Sequence, residues 1–157
     1  MVLKVKKLNK DVELPAYSLD SDVALDLRSN EDILLPPFEV KAVKTGIVLE
    51  IPEGCVGLIR DRAGVLKDMN VHTSAGTFDP AYRGEVSIMM MNEGEESVEI
   101  EKGMRIAQLL IVPTVKVKVQ EVKEVSSTLR GKRSFGSTGL KGVIKELDIL
   151  EKMAKKR

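Results

Sequence analysis

The sequence predicts an all-β domain, a sandwich or barrel, on three observations. Short runs rich in Val and Ile recur along the chain, and turn signals separate them. Strands do not alternate with long helical patterns, as an α/β domain would require. The length, 157 residues, suits one domain.

The elements follow in order. Val2 to Lys6 alternates apolar and polar side chains and reads as the first strand. Ala24-Leu25-Asp26-Leu27 reads as a strand with Asp26 on the face opposite the leucines, at the surface of a half-buried sheet. The turn at Pro36-Pro37 precedes Val40 to Leu49, a Val-rich run interrupted by Gly46. Pro52-Glu53-Gly54 leads into Val56 to Ile59. A short helix is expected near Ala63–Met69. Val86 to Met91 and Ser97 to Ile100 follow as strands, bounded by Asn92-Glu93-Gly94 and Lys102-Gly103. Ala107 to Val112 is almost continuously apolar, which predicts a strand buried on both faces. Val115 to Val125 alternates with period two and reads as the last strand.

Composition changes at Ser126. Residues 126–139 are polar, basic and glycine-rich, without helical or strand period, and read as a mobile arm. From Leu140 the pattern turns helical: Leu140, Val143, Ile144, Leu147, Leu150 and Ala154 make a one-sided apolar stripe. The expected organisation is a β-rich core over 1–125, an arm over 126–139 and an amphipathic helix over 140–157.

Composition excludes several chemistries. Basic and acidic residues balance at 25 to 24, so net charge gives no reason to expect nucleic acid or membrane as partner. No apolar run approaches the ~18–20 residues of a membrane-spanning helix. The N-terminal MVLKVKKLNK has charge but no apolar stretch of the secretory kind, so a cytoplasmic location is expected. One cysteine, Cys55, excludes an intrachain disulfide and a multi-cysteine zinc site. One histidine, His72, excludes a two-histidine metal site and leaves other acid–base work near neutral pH to carboxylates. With no Trp, two Tyr and three Phe, a stacking platform for single-stranded nucleic acid is not expected.

Five segments carry possible chemistry. Gly76-Thr77-Phe78-Asp79-Pro80-Ala81-Tyr82-Arg83-Gly84-Glu85 reads as a turn joining two strands, and alone it is only that. Its functional reading puts a carboxylate, Asp79, at a strand end with an aromatic ring three residues on. Asp79 is then the candidate base for activating a water. Asp61-Arg62-Ala63-Gly64-Val65 sits at the expected helix start and suits a phosphate, or is a charge cluster Arg60-Asp61-Arg62 pairing with itself. In the arm, Arg130, Lys132 and Arg133 bring charge, Ser137 and Thr138 hydroxyls, and Phe135 an isolated ring. That ring either anchors the arm on the body or belongs to a phosphate-and-base clamp. Asp26 in its strand, and Gln108 interrupting an apolar strand and needing hydrogen-bond partners, complete the set.

In this order and spacing the segments resemble the five motifs of the trimeric dUTPases (deoxyuridine triphosphate nucleotidohydrolases), over residues 2–139. The resemblance implies a distorted β-barrel or jelly-roll-like subunit in a homotrimer with sites between subunits. It also implies hydrolysis of dUTP to dUMP and pyrophosphate with Mg²⁺ on the triphosphate. Carried over residue by residue, Asp79 deprotonates the attacking water, and Tyr82 lies against the deoxyribose and excludes a 2′-hydroxyl. A hairpin over Thr73, Gly76, Thr77 and Phe78 reads uracil through its backbone. Arg62, Ala63 and Gly64 hold phosphate oxygens, with Gln108 near the α-phosphate. Asp26 meets the metal through water. Arg130, Gly136, Ser137 and Thr138 close on the nucleotide, and Phe135 stacks on its base.

The chain departs from the motifs at several positions. Ala63 stands where the family has Ser, which removes a phosphate donor that Arg60, Lys67 or a water would have to replace. Ala24 and Ser134 stand where Gly is usual, and Thr73 where many members have Asn. The alternatives are a dCTP deaminase or bifunctional deaminase–dUTPase on the same fold, or a catalytically weak nucleotide-binding trimer. Deamination needs a Glu on the strand after the third motif, and that strand reads Val86-Ser87-Ile88-Met89-Met90-Met91, with Met89 expected to pack in the core.

Overall fold

The computed structural model describes residues 1–128 and 130–132. The assignments to Phe135, Gly136, Ser137, Thr138 and the helix over 140–157 lie outside the described residues. The chain divides into two compact units, Met1–Lys116 and Val117–Arg157.

The first unit holds every named element. One sheet orders its strands β1 (Lys4–Lys7), β4 (Val40–Glu50), β8 (Glu85–Asn92) and β6 (Val71–Ser74). A second orders β2 (Leu25–Arg28), β10 (Arg105–Pro113), β5 (Cys55–Asp61) and β7 (Thr77–Phe78). A small third sheet pairs β3 (Ile33–Leu35) with β9 (Val98–Ile100). All registers are antiparallel. The only helix among the described residues is α1 (Ala63–Met69), so none there is long and apolar enough to cross a membrane.

The sheets share one core because their strands alternate. In β8 the residues Val86, Ile88, Met90 and Asn92 are buried and those between are not. Val86, Ile88 and Met90 meet Val43, Ile47 and Leu49 of β4, Ile59 of β5, Ile106 and Leu109 of β10 and Leu27 of β2 in a single apolar cluster. Met89 therefore lies on the opposite face, half-buried, and not in the core as the sequence suggested. The long strand β4 bends at Gly46, where its register with β8 shifts between Lys44 and Val48. Gly46 has φ +70, and a Cβ there would sit 2.5 Å from the Val12 side chain.

Other expectations change. β10 buries Ile106, Ala107 and Leu109, but Leu110, Ile111 and Val112 are only half-buried, so one face is sealed and not two. Val115 to Val125 forms no strand, and Val115, Val117, Val119 and Val125 are strongly exposed. A period-two pattern makes a strand only where a sheet edge takes up its backbone groups, and no described residue pairs with this segment. β6 and β7 belong to different sheets. The stretch from Thr73 to Phe78 is thus a crossover between layers and not a hairpin, and Asp79 to Gly84 carries the chain back from β7 to β8.

Candidate functional site

The crossover explains where the site residues go. At Gly76 the chain runs against β5, and the Ile59 N–H donates to the Gly76 carbonyl at 2.7 Å. A Cβ on Gly76 would lie 2.6 Å from the Ile59 carbonyl oxygen, so the contact requires glycine. β5 ends at Asp61, Arg62 takes the N-cap position of α1 with extended backbone, and the chain returns as β6 beside the end of β5.

Asp61 joins the two strands. Its Oδ1 accepts from both the Thr73 N–H and the Thr73 hydroxyl at 2.6 Å, and its Oδ2 lies 2.8 Å from His72 Nδ1. Burial pushes the Asp61 carboxyl up, but the two Thr73 hydrogen bonds and the neighbouring His72 outweigh it and hold the group below its ordinary value. The charge cluster Arg60-Asp61-Arg62 therefore does not pair with itself. Thr73 commits its N–H and hydroxyl to Asp61 and has neither left to read a ligand. The hydroxyl donates to the carboxylate and not to the imidazole, so this trio is no Ser-His-Asp relay.

A second carboxylate organises the other wall. Asp26 in β2 stands opposite Gln108 of the neighbouring strand β10. Its side chain is only 12% exposed, far more buried than a surface position. Oδ1 pairs with Arg62 Nη1. Oδ2 accepts from the Ser18 hydroxyl at 2.7 Å and from Arg105 Nη1 at 3.1 Å, and Arg105 Nη1 also donates to Ser18 Oγ at 2.9 Å. The β10–β2 register shifts between Arg105 and Ala107, an irregularity of the kind that re-aims a side chain. Two guanidinium groups thus share one carboxylate. Burial, and then the charge of Arg105, push the Arg62 guanidinium below its usual value. Gln108 Nε2 donates to the Asp61 carbonyl at 2.7 Å and so ties the Asp26 wall to the Asp61 joint.

Of these groups Ser18, Asp26, Arg62 and Gln108 line a cavity of about 530 Å³, with Ser21, Asp22, Ala24, Ala63 and Gly64 also on its walls. The sequence singled out Asp26, Arg62, Ala63, Gly64 and Gln108 from three separate segments, and one chain brings all of them together. Its reading missed Ser18, Asp61 and Arg105. Ser18 carries no local pattern, and the other two were visible only as charges inside motifs. Arg60 and Lys67, proposed to replace a missing donor at Ala63, do not line the cavity.

The third segment lies apart from these walls. None of Thr73, Gly76, Thr77, Phe78, Asp79 or Tyr82 lines the cavity. Asp79 is exposed, and its carbonyl accepts from the Tyr82 N–H at 3.1 Å, which closes the turn. The Tyr82 ring meets Phe78 edge-on at 5.7 Å between centroids, and its hydroxyl donates to the Glu85 carbonyl at 3.1 Å. Arg83 Nη1 donates to the carbonyls of Pro80 and Tyr82 at 2.5 and 2.9 Å and so stiffens the loop. Arg130 is exposed, in a turn with Gly131.

A family model described as dUTPase matches residues 10–139. The chain belongs to the dUTPase family. Relatives in that family include the deoxyuridine 5'-triphosphate nucleotidohydrolase of Clostridium tetani, 46% identical over 139 residues, which cover 87% of this chain and 96% of that one. The corresponding protein of Hydrogenobaculum sp. is 46% identical over 144 residues, covering 90% and 100%. Among solved structures, the dUTPase of Staphylococcus bacteriophage 80alpha with dUPNHPP superposes with a TM-score of 0.84 at 32% identity, over 88% of this chain and 99% of that one. A mutant dUTPase from phage phi11 of S. aureus, whose structure shows coordination of a structural Mg(II) ion, superposes at 0.76 with 26% identity, over 81% and 100%. The all-β, jelly-roll-like fold expected from the motifs is the fold of this dUTPase.

Proposed function

We propose that this dUTPase hydrolyses dUTP to dUMP and pyrophosphate. One observation carries the reading: Asp26 holds the Arg62 guanidinium at a cavity that Gly64 and Gln108 also line, so a cation and hydrogen-bond donors from separate segments converge where a polyphosphate can sit. The attacking water loses a proton to the Asp79 carboxylate as its oxygen bonds to the α-phosphorus. The bond from that phosphorus to the α,β-bridging oxygen breaks, and pyrophosphate leaves with the electron pair. Arg62 and the Gly64 N–H hold phosphate oxygens, and Gln108 orients the α-phosphate, so rate comes from positioning and charge stabilisation. Tyr82 lies against the deoxyribose and leaves no room for a 2′-hydroxyl. Backbone groups of Gly76, Thr77 and Phe78 read the uracil edge. Arg130, Phe135, Gly136, Ser137 and Thr138 close over the nucleotide.

The separation of the Asp79 loop from the cavity supports a homotrimer in which the third segment of one subunit completes the cavity of another. The donor set supports Mg²⁺ carried by the triphosphate. Both Asp26 oxygens already have partners, and no group of three or more His, Cys, Asp or Glu gathers among the described residues. Asp26 would then meet the ion through water, as suits a cation that keeps its hydration shell. When bound, Mg²⁺ neutralises triphosphate charge. A cytoplasmic location, where deoxynucleotides are made and used, belongs to the same reading.

A second reading, a nucleotide binder with little turnover, draws on Ala63. Ala63 lines the cavity and offers no hydroxyl to a phosphate, although Ser21 lines it too. Deamination of dCTP is not favoured. β8 has no carboxylate between Val86 and Met91, and Glu85 at its start accepts the Gly46 N–H at 2.8 Å. The test supplies dUTP, dCTP, dTTP and UTP separately with Mg²⁺ and resolves the products. dUMP and pyrophosphate from dUTP alone are expected. Ammonia from dCTP would overturn the reading. Binding of dUTP without turnover would favour the second reading, with Ala63→Ser as the variant expected to restore rate.

A further inference from the structure

We propose that Gly84 is a positioning residue for sugar discrimination, its missing side chain being the seat of the Tyr82 ring. The inference rests on the reading of Tyr82 as the ring that meets the deoxyribose. A Cβ on Gly84 would lie 2.2 Å from the Tyr82 hydroxyl oxygen, 2.5 Å from Cζ and 2.9 Å from Cε2. All three are too short for any side chain, so the ring occupies space that only glycine leaves open. The ring folds back over its own loop because its hydroxyl donates to the Glu85 carbonyl at 3.1 Å. The edge of Phe78, with centroids 5.7 Å apart and planes at 66°, fixes its tilt.

The geometry also determines what gives way. Gly84 is not among the residues with positive φ, so alanine fits its backbone without strain. The atoms it would strike are the far end of a side chain that is 46% exposed. The core cluster contains neither Gly84 nor Tyr82. Gly84→Ala therefore displaces the ring and leaves the fold. A displaced ring no longer walls off the 2′ position, so the sugar gate opens while the phosphate wall of Asp26 and Arg62 stays in place.

The experiment measures kcat/KM for dUTP and for UTP in the wild type, Gly84→Ala, Tyr82→Ala and the double variant. Gly84→Ala should lower the dUTP-over-UTP ratio by about tenfold or more, the scale on which reshaped pockets lose discrimination. Combined with Tyr82→Ala it should lower the ratio no further, because it acts through that ring. A spectroscopic readout runs in parallel. The chain has no Trp and two Tyr, so in a Tyr17→Phe background Tyr82 is the single reporter, and its near-ultraviolet circular dichroism should change in Gly84→Ala. Phe78→Leu, which removes the edge contact, should lower the ratio in the same direction by less. An unchanged ratio and unchanged tyrosine signal in folded Gly84→Ala would overturn the proposal, as would an equal drop in the Tyr82→Ala background. If the wild type hydrolyses neither nucleotide, the proposed function fails instead, and the tyrosine signal alone decides whether Gly84 seats the ring.

Discussion

The two halves of the candidate site are held by different forces. The Asp26 wall is electrostatic. A nearly buried carboxylate holds Arg62 on one oxygen and Arg105 and Ser18 on the other, with the geometry complete inside one chain. The Asp79 loop is steric. Asp79 is exposed, and Tyr82 is placed by Phe78, by the gap at Gly84 and by one hydrogen bond. The contrast teaches a division of labour. On the proposed function, polyphosphate is recognised by charge, which must be oriented before the ligand arrives. On the same proposal the sugar and the attacking water are recognised by shape and position, which an open loop supplies once a second surface covers it.

The sharpest way to break this comparison is at Asp79. Asp79→Asn should lower kcat on dUTP by about 10²–10⁴, the range of general acid–base catalysis. Affinity for a non-hydrolysable dUTP analogue, measured by calorimetry, should remain, because the electrostatic wall is untouched. Equal turnover in variant and wild type would remove Asp79 as the base.

Asp26→Ala should do the reverse and strike stability and phosphate binding together. It leaves Arg62 and Arg105 facing each other without a counter-charge. Breaking a fully buried pair costs about 3–5 kcal/mol. Arg62 and Arg105 are partly exposed, so about 2 kcal/mol is expected here, smaller still in high salt. Denaturant unfolding at low and high ionic strength checks this, and a salt-independent loss would mean that Asp26 acts by packing.

The smallest effect is expected at the joint between β5 and β6. Asp61→Asn keeps an acceptor for Thr73 but loses the charge, which should cost about 1 kcal/mol at neutral pH. The folded-state value of Asp61 lies below its unfolded value, so its contribution is fully present above the ordinary carboxylate range and is lost as pH falls through the folded value. The stability gap between wild type and Asp61→Asn should therefore close in acid, as pH falls through the folded-state value of Asp61. A gap that stays open well below the ordinary carboxylate range would reverse the assignment.

Much of the site was legible in the chain. Asp26, Arg62, Gly64 and Gln108 stood out because each breaks a local pattern: a carboxylate between leucines, a charge and small residues at a helix start, an amide in an apolar strand. The partners Ser18 and Arg105 were not legible, because Arg105 lies 79 residues from the carboxylate it pairs with. The bond from Thr73 to Asp61 was no more legible, since it joins strands of two different sheets, 12 residues apart. The strand expected over Val115 to Val125 failed because periodicity specifies a face and not a partner.

By itself the sequence determined the all-β class, the order of the five segments, the absence of cysteine and paired-histidine chemistry, and the types of residue available for acid–base work. These depend on composition, on period and on turn residues, which are local properties. The tertiary structure decided which sheet each strand joins, that Thr73 to Phe78 crosses between layers, which arginines share Asp26, and that Tyr82 rests in the space of Gly84. Those outcomes depend on close approach between atoms distant along the chain or folded back on a turn, and a distance of 2.2 Å to a missing methyl group exists only once the backbone has closed.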